Sequence, residues 1–234
     1  MAMSTLRSER HCPLSVKSGD AHVPYRCYRS GMSVLMPAPR RRGEVLRDAV
    51  FSAALEELAE NGLRGASMDR IARRAGTGKS ALYRRWPNAR ALALDVFIST
   101  MEENLPTPET STGSLRDDLL NSMTTLSKEL EGSLGIVLRE LISEGAHDPS
   151  LVEEFQVRFG LPKQAELVTL LQLAMARGEI PPQPIDPYVL QIPASMVMHS
   201  MVMTGACPSA DEVGHIIDAI VLPLLKQPRK PPAA

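Results

Sequence analysis

The stretch from Ser67 to Trp86, SMDRIARRAGTGKSALYRRW, constrains this chain more than any other. It reads as two short helices around a glycine turn. Ser67 is suited to cap the first helix, and Asp69 lies near its positive end. Ile71, Ala72 and Ala75 recur at helical spacing, and Ala72 is small enough to let a second helix cross close by. Gly76 falls where the first helix must stop, a position that glycine accepts without strain. Thr77 stands ready to cap a second helix running from about Gly78 to Trp86. On that helix Leu82 and Trp86 point inward, and Lys79, Ser80, Tyr83 and Arg84 point outward. Two helices joined tightly, the second with a cationic outer face, make a helix-turn-helix.

On these residues the stretch resembles the DNA-binding domain of the tetracycline-repressor (TetR) family of transcription regulators. The resemblance is carried by Ser67, Ile71-Ala72, Ala75-Gly76 and Leu82-Tyr83-Arg84-Arg85-Trp86, and it extends over roughly Glu44 to Asn104. Beyond that it is one of helix layout. The sequence departs from the family pattern at Thr77, at Gly78 and at Ala89, where many members carry a phosphate-binding lysine; Arg90 stands beside it. The implied fold is all-α, with an N-terminal three-helix helix-turn-helix domain and a helical ligand-binding and dimerisation domain behind it.

A recognition helix reaches base edges through short or polar residues near its N-terminus. Lys79, Ser80, Ala81 and Arg84 are the candidates for base readout. Lys79 can donate to guanine O6 and N7, Ser80 can donate or accept, and Ala81 offers a methyl. Ser67, Tyr83, Arg85 and Arg90 are the candidates for phosphate contact, and the family assigns that role to the tyrosine at Tyr83. Arg73 and Arg74 read as a solvated face, and Trp86 as core. Gly76-Thr77-Gly78-Lys79-Ser80 also looks like the end of a phosphate-binding P-loop, but that motif needs a glycine where Arg73 stands and a strand upstream.

Charge supports the nucleic-acid reading. The 234 residues carry a net charge of −1, yet residues 1–42 hold eight basic and two acidic residues, whereas residues 91–234 hold nine and nineteen. A basic front and an acidic rear suit a polyanion partner at the front. Three cysteines without regular spacing, Cys12, Cys27 and Cys207, argue against a disulfide framework. His11, Cys12, His22 and Cys27 fit no common zinc spacing. The expectations are therefore no metal, no cofactor and no catalytic residues. No signal peptide or membrane span is evident, which points to the cytoplasm.

Along the chain, residues 1–42 read as a disordered basic arm, with Met32 and Met36 as alternative starts. Arg40, Arg41 and Arg42 are placed to lie along phosphates. The DNA-binding domain spans 44–104, with its motif at 67–86. Pro106 and Pro108 mark a linker separating it from a helical domain over 113–226, and 227–234 is a proline-rich tail. Pro162 is expected to start or kink a long helix, and Pro193 to kink another.

The last two helices carry more apolar surface than one face needs, including Val189, Ile192, Met196, Val197, Ile216, Ile220 and Leu224. A homodimer through these helices would bury it, matching the two-fold symmetry of palindromic sites. Met123, Met175, Met196, Met198, Met201 and Met203 can serve as core or as an adaptable pocket for an unidentified small-molecule effector. The reading is a sequence-specific DNA-binding regulator, a ligand-released homodimeric repressor acting on double-stranded operator DNA. An activator or a ligand-free regulator fits the same layout, and a helical nucleotide-binding enzyme is the alternative of another class.

Overall fold

The computed structural model describes residues 43–227, and the basic arm with Arg40 to Arg42, the cysteines and histidines before residue 43 and the tail beyond Gln227 lie outside them. Among the described residues every regular element is helical. In order they are α1 (Glu44–Gly65), α2 (Met68–Arg74), α3 (Lys79–Tyr83), α4 (Ala89–Asn104), a 3-10 turn (Pro108–Thr110), α5 (Leu115–Leu130), α6 (Ser133–Gly145), α7 (Pro149–Phe155), α8 (Leu161–Ala176), α9 (Pro187–Thr204), α10 (Ala210–Ile216) and α11 (Leu222–Lys226).

α1 buries Val50, Ala53, Ala54 and Leu58 along one stripe, as its periodicity predicts. It stops being regular at Gly62, whose φ of +64° and ψ of 175° turn the chain toward α2. A carboxylate from the rear half fixes this corner: Glu140 on α6 accepts a hydrogen bond from the Leu63 backbone N–H at 2.9 Å. A side chain at Gly62 would place its Cβ 3.2 Å from the same Glu140 oxygen.

The segment 105–112 leaves no gap between front and rear. The core formed by Val50, Leu58, Ile71, Leu82, Trp86, Leu92 and Phe97 continues without a break into Leu134, Val137, Leu138 and Leu141 of α6 and Val197 and Met201 of α9. Phe97 on α4 meets Phe155 and Phe159 with ring centroids 5.7 and 5.4 Å apart. The linker is pinned by Asp118, buried on α5, which accepts from the Ser111 and Thr112 hydroxyls and from the Thr112 N–H. Burial alone would raise its pKa, but these hydrogen bonds outweigh it and hold the carboxyl below its ordinary value. A second core joins Leu115 and Leu119 of α5 to Leu171 and Ala174 of α8, Val189 of α9, and Val213, Ile217, Val221 and Leu225 of the last helical run.

Two helical runs contain a wide turn. α7 and α8 are joined by a π-helical turn, Gln156–Gly160, into one run over 149–176, and α10 and α11 by another, Ile217–Val221, over 210–226. Each wide turn lies one residue short of a proline, Pro162 and Pro223. A proline inside a helix presses on the carbonyl four residues back and donates no hydrogen bond, and a wider turn upstream relieves both problems. Pro162 thus stands in the first turn of α8, as expected, but within a longer continuous helical run. Pro193 lies buried inside α9.

Candidate nucleic-acid interface

The helix-turn-helix is assembled around one buried carboxylate. Glu57 on α1 accepts from the Ser67 N–H at 3.1 Å and from Arg70 Nε at 2.6 Å, and Arg74 Nη2 lies 3.6 Å from its other oxygen. The Arg70 hydrogen bond chiefly holds Glu57 below the usual carboxylate range. Arg74 also pairs with Glu56 and Glu60. Arg70 and Arg74 are thus committed to α1, whereas Arg73 is solvated.

Ser67 caps α2 as expected, its Oγ accepting from the Arg70 N–H at 3.4 Å. The turn is closed from the backbone: Thr77 N–H donates to Ala72 O at 3.0 Å and Gly76 N–H to Arg73 O at 3.2 Å, with Gly76 at φ +65°. That pair of bonds satisfies the last carbonyls of α2 and requires a left-handed residue at Gly76. The residue capping α3 is Gly78, with no side-chain bond, and not Thr77. Thr77 is drawn into the turn through its backbone. The P-loop reading has no support here, because helix α2 occupies the place of the required strand.

α3 is short, ending at Tyr83 with a further turn through Arg85. Leu82 and Trp86 are buried, and Trp86 meets Phe51 of α1 at 6.0 Å between centroids. Lys79, Ser80, Tyr83, Arg84 and Arg85 are exposed together, with Ala81 half-buried among them. Tyr83 is 47% exposed, so its ring is a surface group and not part of the core. Arg85 lies over the Trp86 ring, 5.0 Å from its centroid.

Two of the candidate DNA contacts are held by carboxylates that the sequence did not single out for this. The Lys79 ammonium pairs with Asp69 of α2. Arg90, on the first turn of α4, pairs with Asp148 at the start of α7. Asp148-Pro149 reads from sequence as a helix opening, and Asp148 does cap α7, but its pairing with Arg90 carries no local signal. Beside it, Trp86 Nε1 donates to Asp95 at 2.8 Å, and the other Asp95 oxygen takes Arg158 from the π-helical turn. A cleft of about 330 Å³ separates these groups, lined by Arg85, Trp86, Arg90, Asp95, Glu154 and Arg158 among others.

A buried helix pair that presents a small cationic face, carried on a larger helical body, defines a DNA-binding regulator of the helix-turn-helix class. Residues 50–96 match the model of the bacterial regulatory proteins of the tetR family, and residues 109–220 match a tetracyclin repressor-like C-terminal domain. Over 141 residues the chain is 36% identical to YdeS, a helix-turn-helix-type transcriptional regulator of Bacillus subtilis, covering 60% of this chain and 70% of that one. It is 27% identical to a DNA-binding transcriptional repressor TetR of Mycobacteroides abscessus, over 79% of this chain and 96% of that one. Among solved structures, the TetR family transcription regulator SCO0332 superposes with a TM-score of 0.61 at 25% identity, over 76% of this chain and 97% of that one. The chain belongs to the TetR family of transcriptional regulators. Regulators of this family bind operator DNA and function as dimers, and some bind small-molecule effectors.

Proposed function

We propose that this chain acts as a homodimeric repressor that reads its operator with α3 and releases it when a small molecule binds the rear half. The observation that carries the reading is the common exposure of Lys79, Ser80, Tyr83, Arg84 and Arg85 over a helix anchored by buried Leu82 and Trp86. Lys79, Ser80, Ala81 and Arg84 would face base edges, and Ser67, Tyr83, Arg85 and Arg90 would take phosphates.

The dimer is supported by apolar surface left uncovered on the last helices. Tyr188, Val202 and Met203 are exposed on α9, and Met196, with Ile220 and Leu224 on the final run, is partly exposed without packing on either core. Isologous packing of these helices would bury both sets. The effector reading rests on the family, some of whose members bind small molecules.

Selection of bound duplexes from a random library, followed by affinity measured against salt, tests the reading. The expected result is a palindrome bound by a dimer with a steep salt dependence. Binding without any preferred sequence would remove the repressor claim and leave only the fold.

A further inference from the structure

We propose that Asp148 restrains DNA binding by holding Arg90 off the operator, so that the rear half competes with a backbone phosphate for one guanidinium on each head. The inference rests on the reading of Arg90 as a phosphate contact.

Arg90 lies two residues past the Asn88 cap of α4, a 16-residue helix whose N-terminus favours an anion. In this structure its guanidinium is turned to Asp148 instead. The two Asp148 oxygens have separate tasks. Oδ2 takes Arg90, while Oδ1 accepts from the Ser150 N–H at 3.0 Å and the Ser150 hydroxyl at 2.6 Å, capping α7. The carboxylate is therefore fixed on α7 and cannot follow Arg90 outward without giving up the cap. A phosphate drawn to the same guanidinium would stand within a few ångströms of this anchored anion, and like charges at that spacing repel. Arg90 also lines the adjoining cleft.

The other ion pair across this joint serves as a comparison. Arg158 binds Asp95, which also takes the Trp86 indole, and neither residue is placed to read DNA. Losing that pair loosens the joint without releasing a DNA-facing cation. Losing the charge of Asp148 does both.

The test uses the full chain and its selected operator, with affinity measured by fluorescence anisotropy across a salt series. Asp148→Asn keeps an oxygen for the cap and removes the charge. It should bind about 1.5- to 5-fold more tightly per head, the range expected for freeing one half-exposed ion pair. The log–log salt slope should steepen by about one per head. Asp148→Ser, which also caps, should act in the same direction. Arg158→Gln should not tighten binding, and Arg90→Gln should erase the gain of Asp148→Asn in the double variant. Unchanged or weaker binding by Asp148→Asn would overturn the proposal, weaker binding meaning that Asp148 presents Arg90 to the DNA. Equal tightening by Arg158→Gln would overturn it too, by attributing the gain to a loose joint. A gain from Asp148→Asn that survives in the double variant with Arg90→Gln would instead remove the phosphate-contact reading beneath it.

Discussion

Lys79 and Arg90, two cations of the proposed DNA-facing surface, are each defined by a partner as much as by position. Lys79 starts α3 but is tied to Asp69, so any base it reads must compete with a carboxylate ten residues back. Lys79→Ala should cost about 1–3 kcal/mol and relax preference at one position per half-site. Competition binding with single-base operator variants checks this, and equal loss on every sequence would rule out base readout. Glu57 gives a prediction in pH. Its folded pKa is depressed, chiefly by the Arg70 hydrogen bond. Its contribution is therefore complete above the unfolded carboxylate range and is lost as pH falls through the folded pKa. Denaturant midpoints should fall with acid, and Glu57→Ala, which unpairs Arg70 and the Ser67 N–H, should flatten that dependence. The exposed face of α3 was legible because helical spacing alone separates Leu82 and Trp86 from their neighbours. The partners of Lys79 and Arg90 were not, because ion pairs across ten and 58 residues join different helices and leave no trace in local pattern.

At the scale of elements, the two left-handed glycines of the head do different work. Gly76 closes the turn in open space, and no atom lies within 4 Å of a Cβ built there. Gly76→Ala should cost only the backbone strain, about 1–2 kcal/mol. Gly62, at φ +64° and ψ 175°, lies in a region open essentially to glycine alone, and it also faces Glu140, which cannot retreat without dropping the Leu63 N–H. Gly62→Ala should therefore lower the thermal midpoint more than Gly76→Ala does, a difference read directly by calorimetry. The stop at Gly76 was legible, because glycine after a helical run has one common use. The π-helical turns were not. Pro162 marked an irregularity, but nothing local distinguishes a helix that ends at a proline from one that widens ahead of it. The widening matters to packing, since it takes up one extra residue. It lets Leu151 and Phe155 before it and Leu171 and Ala174 after it all point inward from one continuous helix.

At the scale of the molecule, the helical layout was readable from periodicity and composition, but the apolar surplus of the last helices was only partly so, because Val189 and Val197 are spent on the protomer's own cores. The continuity of the core was not, because Pro106 and Pro108 look like a boundary, and sequence pattern cannot tell a linker from a pinned loop. That continuity sets how the protein can be divided. Residues 44–104 hold every group expected to touch DNA apart from the basic arm, yet part of the wall they pack on is α6, through Leu134, Val137, Leu138 and Leu141. A fragment ending at Asn104 would keep the reading head and bare a strip of apolar surface on α1 and α4. Such a fragment should be aggregation-prone or partly unfolded, and a protease cutting near Gly113 should not liberate a durable DNA-binding piece, as limited digestion would reveal. The portion that reads DNA is smaller than the portion that must fold for it to do so, and this head is not a module that can be lifted onto another body.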